Sequence, residues 1–158
     1  MTVSSAMFIR ALFAFLALPG IVAGLLPALI VASDAQRSSG SGFGWVLIGM
    51  GLFLLLWCVR DFFVSGRGTL APWDPPRHLV VVGLYRFVRN PMYIAVLTLV
   101  LGWSVAAGSL LLAGYAAVLA VAFHLRVIFY EEPCLLRLFG IEWTAYSKSV
   151  PRWLPGLH

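Results

Sequence analysis

Long apolar runs, with polar and charged groups gathered at their ends, restrict this chain to few environments in which it can fold. Of its 158 residues, 61% are hydrophobic and 11% charged, with a mean hydropathy of +0.96. Soluble domains carry about 25% charged residues, so water is not the main solvent here. Several runs approach the roughly 20 residues that cross a bilayer. The fold class expected is an all-α integral membrane protein. Four transmembrane helices in two hairpins precede short interfacial helices near the C-terminus, in a single domain over residues 1–158.

The expected spans are residues 11–32, 43–64, 92–107 and 110–128. The first follows Arg10 and exceeds the roughly 7–15 apolar residues of a signal peptide core, so it reads as a retained helix. Pro19 and Pro27 kink it, and neighbouring helices tolerate that. Gly20 and Gly24 form a small-xxx-small pair suited to close packing within one protomer. Residues 65–90 are different material: Gly66, Gly68, Pro72, Pro75 and Pro76 break regular structure. Within them Leu79-Val80-Val81-Val82 is too short to span and reads as an extended segment or a buried wall. Asn90 is a good N-cap and Pro91 suits the first helical position. Gly108-Ser109 reads as a tight turn. In the tail, Pro133 disfavours a helix continuing through Glu132. A short helix then runs to Gly140, and a second holds Glu142, Trp143, Tyr146 and Lys148 until Pro151.

The net charge is +5, and the positive groups flank apolar segments. That suits membrane topology and anionic headgroups better than nucleic acid, for which no motif is present. Apart from Arg37, and Arg126 at the end of the fourth span, every Lys and Arg falls before the first span, in the Arg60–Arg89 region or in the tail. The positive-inside rule puts these three regions in the cytoplasm. The expected location is a bacterial inner membrane, with both termini cytoplasmic and with 65–90 and 129–158 as cytoplasmic segments. Cys58 and Cys134 show neither metal spacing nor a disulfide framework.

Three groupings carry possible chemistry. The start of the third span, at Asn90-Pro91-Met92-Tyr93, offers free N–H donors and a positive dipole end to an anion; an ordinary capped helix is the plainer reading. Glu131-Glu132 is costly unless a cation lies close. Arg126, Arg137, a bound ammonium or, least favoured, a metal are the candidates. Tyr85, Tyr93, Tyr130, Trp143 and Tyr146 suit an interfacial aromatic belt, or a contact with an adenine ring or a sulfonium cation. Arg77, Arg86 and Arg89 suit headgroup contacts. His78 and His124 are the candidate proton carriers.

These stretches, in order, resemble the isoprenylcysteine carboxyl methyltransferase family, itself similar to bacterial phospholipid methyltransferases. The pieces are Gly83-Leu84-Tyr85, Arg89-Asn90-Pro91-Met92-Tyr93, Glu131-Glu132-Pro133-Cys134-Leu135, Phe139-Gly140, Trp143, Tyr146 and Val150-Pro151. The resemblance implies S-adenosylmethionine as methyl donor, S-adenosylhomocysteine as product and no metal. Carried over by position, the cofactor contacts are Arg77, His78, Leu79, Val80, Tyr85, Arg89, Asn90, Pro91, Met92, Tyr93 and Glu131. Arg126 is the candidate contact for an anionic substrate, and Glu132 supports Glu131; these two form the catalytic set. The chain departs from the family where Asn90 replaces a histidine, where Val127 replaces a substrate-binding arginine, and at Trp143. The expected function is transfer of a methyl group to a lipophilic or amphipathic acceptor that enters from the bilayer among membrane lipids. The alternatives are a phospholipid amine or small thiol as acceptor, or a non-catalytic assembly or lipid-binding protein of the same fold.

Overall fold

A computed structural model describes residues 16–66 and 78–155. Residues 11–15 of the first expected span, and Arg77, lie outside the described residues. All regular structure among the described residues is helical. A π-helix, Leu16–Leu25, leads into α1 (Leu26–Ser33). Then come α2 (Phe43–Gly66), a 3-10 turn (Gly83–Arg86), α3 (Pro91–Ala107) and α4 (Leu110–Arg126). A π turn (Val127–Glu131) joins α4 to α5 (Glu132–Ser149).

Two stretches are long and apolar enough to cross a membrane: Phe43–Phe62 and the continuous helical run Leu110–Ser149. Only 22% and 17% of their apolar windows are buried inside the protein. A soluble core helix would be mostly covered, whereas here Trp45, Phe53, Leu110, Val118 and Val121 face outward. Such a surface is stable against lipid and prone to association in water. Pro19–Ser33 and Pro91–Ala107 are apolar but shorter. At 1.5 Å per residue, α3 is about 26 Å long against a hydrocarbon core of roughly 30 Å.

The packing differs from two successive hairpins. The most extensive helix pair is α2 with α3, although a long segment separates them in sequence, while α1 and the π-helix pack on α3 and α4. The cause lies in the small residues. A Cβ added at Gly51 would come within 2.8 Å of the Leu99 backbone nitrogen, and one at Gly102 within 2.8 Å of the Ile48 nitrogen. The two backbones therefore touch along this seam. Gly24, expected to serve such a contact, has open space beside it. With α2, α4 and the π-helix around it, α3 buries Ala95, Val96, Leu99 and Val100 in the main core with Ala23, Leu55 and Ala116.

Two further expectations are corrected. Asn90 occupies the N-cap position of α3, but its side chain does not cap the helix; its Nδ2 instead donates to the Arg152 carbonyl at 3.1 Å. Pro133 does not stop the helix. In an α-helix its ring would clash with the carbonyl four residues back, that of Phe129. The wider π turn over Val127–Glu131 takes up that clash, and α5 begins with Pro133 in its first turn, where a missing N–H costs little. The break expected at Gly140 is present as a kink with φ 50°.

Candidate functional site

Helices α2, α3 and α4 alternate in direction, so the end of α2, the start of α3 and the end of α4 meet at one end of the bundle. The opposite end is stitched by the loop after α1: the Ser38 amide donates to the Gly108 carbonyl at 3.0 Å and the Ser41 amide to the Val105 carbonyl at 2.9 Å. At the first end, the turn Gly83–Arg86 lies against α2. Gly83 has φ 56°, and a Cβ there would collide with the buried Asp61 carboxylate. Tyr85 packs with Val80 and Cys58 in a second small core. Burial raises its phenol well above the ordinary range, with Cys58, Tyr146, Asp61 and Glu131 adding to the effect. Leu79 faces a third core, made by Trp143, Tyr146 and Val150. Leu79 and Val80 are therefore a wall between two clusters, while His78 is exposed.

The entrance of α3 and the π turn meet directly. The Tyr93 hydroxyl donates to the Glu131 carboxylate. The Arg126 Nε lies 2.9 Å from the same Glu131 oxygen and 3.2 Å from the Tyr93 hydroxyl. The Arg126 guanidinium also sits over the Tyr130 ring at 5.3 Å. Of the cations weighed for Glu131, the structure supplies Arg126. Val127, which shares the turn, is buried at 1% exposure, and its isopropyl side chain has no polar atom to offer.

Glu132 serves a different set. Its carboxylate accepts from Arg89 at 2.9 Å and from Arg152 at 2.7 and 2.9 Å, the last two as a bidentate pair. Burial lowers the Arg89 guanidinium below its ordinary value and Arg152 adds to this, while Glu132 opposes it. The hydrogen bond to Glu132 raises Arg152. The Arg89 amide donates to the Pro151 carbonyl at 2.9 Å, and Tyr146 donates to the Tyr85 carbonyl at 2.6 Å. Residues Val150 to Trp153 thus form a strap that ties α5 to the start of α3.

Aromatic rings close the same end. Tyr93 stacks on Phe123 at 4.4 Å and 26°. Trp153 lies 6.4 Å from Tyr93 and 6.1 Å from His124, and its Nε1 donates to His124 Nδ1 at 3.1 Å. Tyr93, Glu131 and Arg126 are thus joined directly. Arg89 bonds Glu132 directly and Asn90 reaches it through Arg152 of the strap, and Pro91 and Met92 follow in the first turn of α3. Sequence reading missed Arg152, Trp153, Phe123 and Asp61. For Arg152 a signal existed: two adjacent carboxylates need more than one cation, and the tail is where the remaining ones lie. Phe123 and Trp153 carried no local signal distinguishing them from lipid-facing aromatics. A cleft of about 550 Å³ opens between the end of α5 and the strap, lined by Arg89, Ser147, Lys148, Pro151, Arg152, Trp153 and Leu154.

Fold and site together define an all-helical membrane protein with a polar, aromatic cluster where its helices meet the surface. The chain belongs to the phospholipid methyltransferase family, whose family model matches residues 41–142. That assigns it to membrane methyltransferases that work on lipid-like substrates. No curated protein and no solved structure matches the chain significantly.

Proposed function

We propose that this chain is an S-adenosylmethionine-dependent methyltransferase with four membrane spans and its cofactor site at the cytoplasmic end of α2, α3 and α4. The observation that carries the reading is the Tyr93–Glu131 hydrogen bond, which joins the two halves of the motif across 38 residues. The local chemistry fits the cofactor. No side-chain cap closes the first turn of α3, so its Met92 and Tyr93 amides suit a carboxylate. Glu131 suits an ammonium, and Leu79, Val80, Tyr85 and the Tyr93 ring supply apolar and aromatic surface. His78, and Arg77 before it in the sequence, complete the proposed set.

When bound, the cofactor supplies a methyl group on a positively charged sulfur, so the protein's task is chiefly to hold two reactants in register. Arg126 stands at the edge of the site, exposed, and suits the anion of an amphipathic acceptor. Glu132, held by two guanidiniums, acts as a positioning residue: it fixes Arg89, and with it Asn90 and the start of α3. The Phe123, Tyr93 and Trp153 rings exclude water from this end. The family supports a lipid-like acceptor; an isoprenylcysteine carboxylate is one candidate, and a phospholipid amine or a small thiol is the alternative.

The test has two arms. S-adenosylhomocysteine binding to detergent-purified protein should weaken at least tenfold in Glu131→Gln and in Tyr93→Ala; equal affinity in all three proteins would remove the site assignment. Labelled cofactor incubated with a membrane lipid extract should give sustained methyl transfer to lipid. Binding without turnover on any lipid, thiol or prenylcysteine would favour the non-catalytic reading, which draws support from Glu131 already being satisfied by Arg126 and Tyr93.

A further inference from the structure

The cleft beside the strap is a different surface from the proposed cofactor site. It shares Arg89 and Trp153 with that site, but Tyr93, Glu131 and Arg126 do not line it. Its walls carry three cations, Arg89, Lys148 and Arg152. One carboxylate, Glu132, is bonded to two of them. Lys148 is exposed and has no hydrogen-bond partner among the described residues. The Arg89 Nε is buried without a partner. The cluster therefore holds an excess of two positive charges and an unsatisfied donor. Trp153 and the exposed Leu154 add apolar surface to the same walls. At about 550 Å³ the cleft is in the size range of ligand sites and larger than a simple ion requires. Around it, α5 exposes Leu136, Leu138 and Ile141, the last at 88%, as a helix lying in the headgroup layer would.

We propose that this cleft binds the phosphate of an anionic phospholipid, held as an anchor and not as a methyl acceptor. The phosphate lies against Lys148 and Arg152, the glycerol region against Trp153 and Leu154. Excess cationic charge beside apolar surface at headgroup depth matches an anionic lipid better than a neutral one. Bound there, the lipid holds the strap against α3 and α5 against the membrane. This goes beyond the methyl-transfer reading and relies on it only for the membrane setting.

The test uses the full chain in detergent, with the unfolding temperature read against added phosphatidylglycerol, which has no amine to methylate. A saturable rise is expected. Diacylglycerol, which lacks the phosphate, should give none, and inorganic phosphate should act only at far higher concentration. Lys148→Glu should weaken the phosphatidylglycerol response by roughly tenfold or more, the scale of reversing one exposed charge beside a phosphate; Lys148→Arg should restore it. An equal response to diacylglycerol, or unchanged affinity in Lys148→Glu, would overturn the assignment. Inorganic phosphate acting as tightly as the lipid would overturn the lipid as occupant. S-adenosylhomocysteine added to the same wild-type protein separates the two readings. No response to it beside a saturable lipid response would sink the methyl-transfer site and leave the cleft assignment standing.

Discussion

Replacing Glu132 with glutamine leaves the guanidiniums of Arg89 and Arg152 facing each other without the carboxylate that joins them. Both Arg89 and Glu132 are largely buried, and removing one partner from such a group typically costs about 3–5 kcal/mol. The Arg152 side chain is 32% exposed, so a loss of about 2–4 kcal/mol is expected. It would be read as a lower unfolding midpoint in detergent. Glu131→Gln should cost less stability, because Arg126 is more exposed, and more cofactor affinity. Tyr85 gives a pH test. Its folded-state value is raised above that of the unfolded chain, near 10. Its contribution is therefore whole below about pH 10 and is lost as the pH climbs beyond that. Tyr85→Phe should shallow the fall in stability measured between roughly pH 10 and 12. At this scale the sequence disclosed that Glu131-Glu132 needs cations, because adjacent carboxylates repel. Which cation goes to which carboxylate was hidden: Arg152 reaches Glu132 only because the strap folds back over twenty residues.

Among the elements, the α2–α3 seam is the most demanding contact. Leucine at Gly102 would drive a branched side chain into the Ile48 backbone. Overpacking usually costs about 1–3 kcal/mol, and more where backbone must move. Gly102→Leu should accordingly lower the unfolding midpoint or the yield of folded protein, while Gly24→Leu, beside open space, should change neither. Equal loss in both would show that the seam is not the point of close approach. Helix positions were readable from apolar run lengths and from Asn90-Pro91 and Gly108-Ser109, since those signals are local. Pairing was not. Glycines occur at Gly20 and Gly24 and, at other spacings, at Gly44, Gly49 and Gly51 of α2, and only the fold selects which of them are used. Pro133 misled for a related reason: a proline forbids an α-turn through its ring, but a π turn accommodates it.

Across the whole molecule, the arrangement of ends follows from helix direction and makes the span count testable. The loop holding Ser39 lies at the end of the bundle where α3 stops and α4 starts, bonded to Gly108 through Ser38. Arg137, on α5, follows the opposite end, where Glu131 and Tyr93 meet. If α1 and α3 cross the membrane despite their length, by local thinning of the bilayer, these two positions lie on opposite sides. Charge balance then puts Arg137 inside, with Arg60, Arg86, Arg89 and Lys148. With Cys58 and Cys134 replaced by alanine, Ser39→Cys should react with a membrane-impermeant thiol reagent in intact cells, and Arg137→Cys only after permeabilisation. Labelling of both from the same side would leave two spans in place of four. Labelling of both in intact cells would also remove the proposed cytoplasmic site, because the proposed methyl donor is a soluble nucleoside that must reach Glu131 from the side on which it is made.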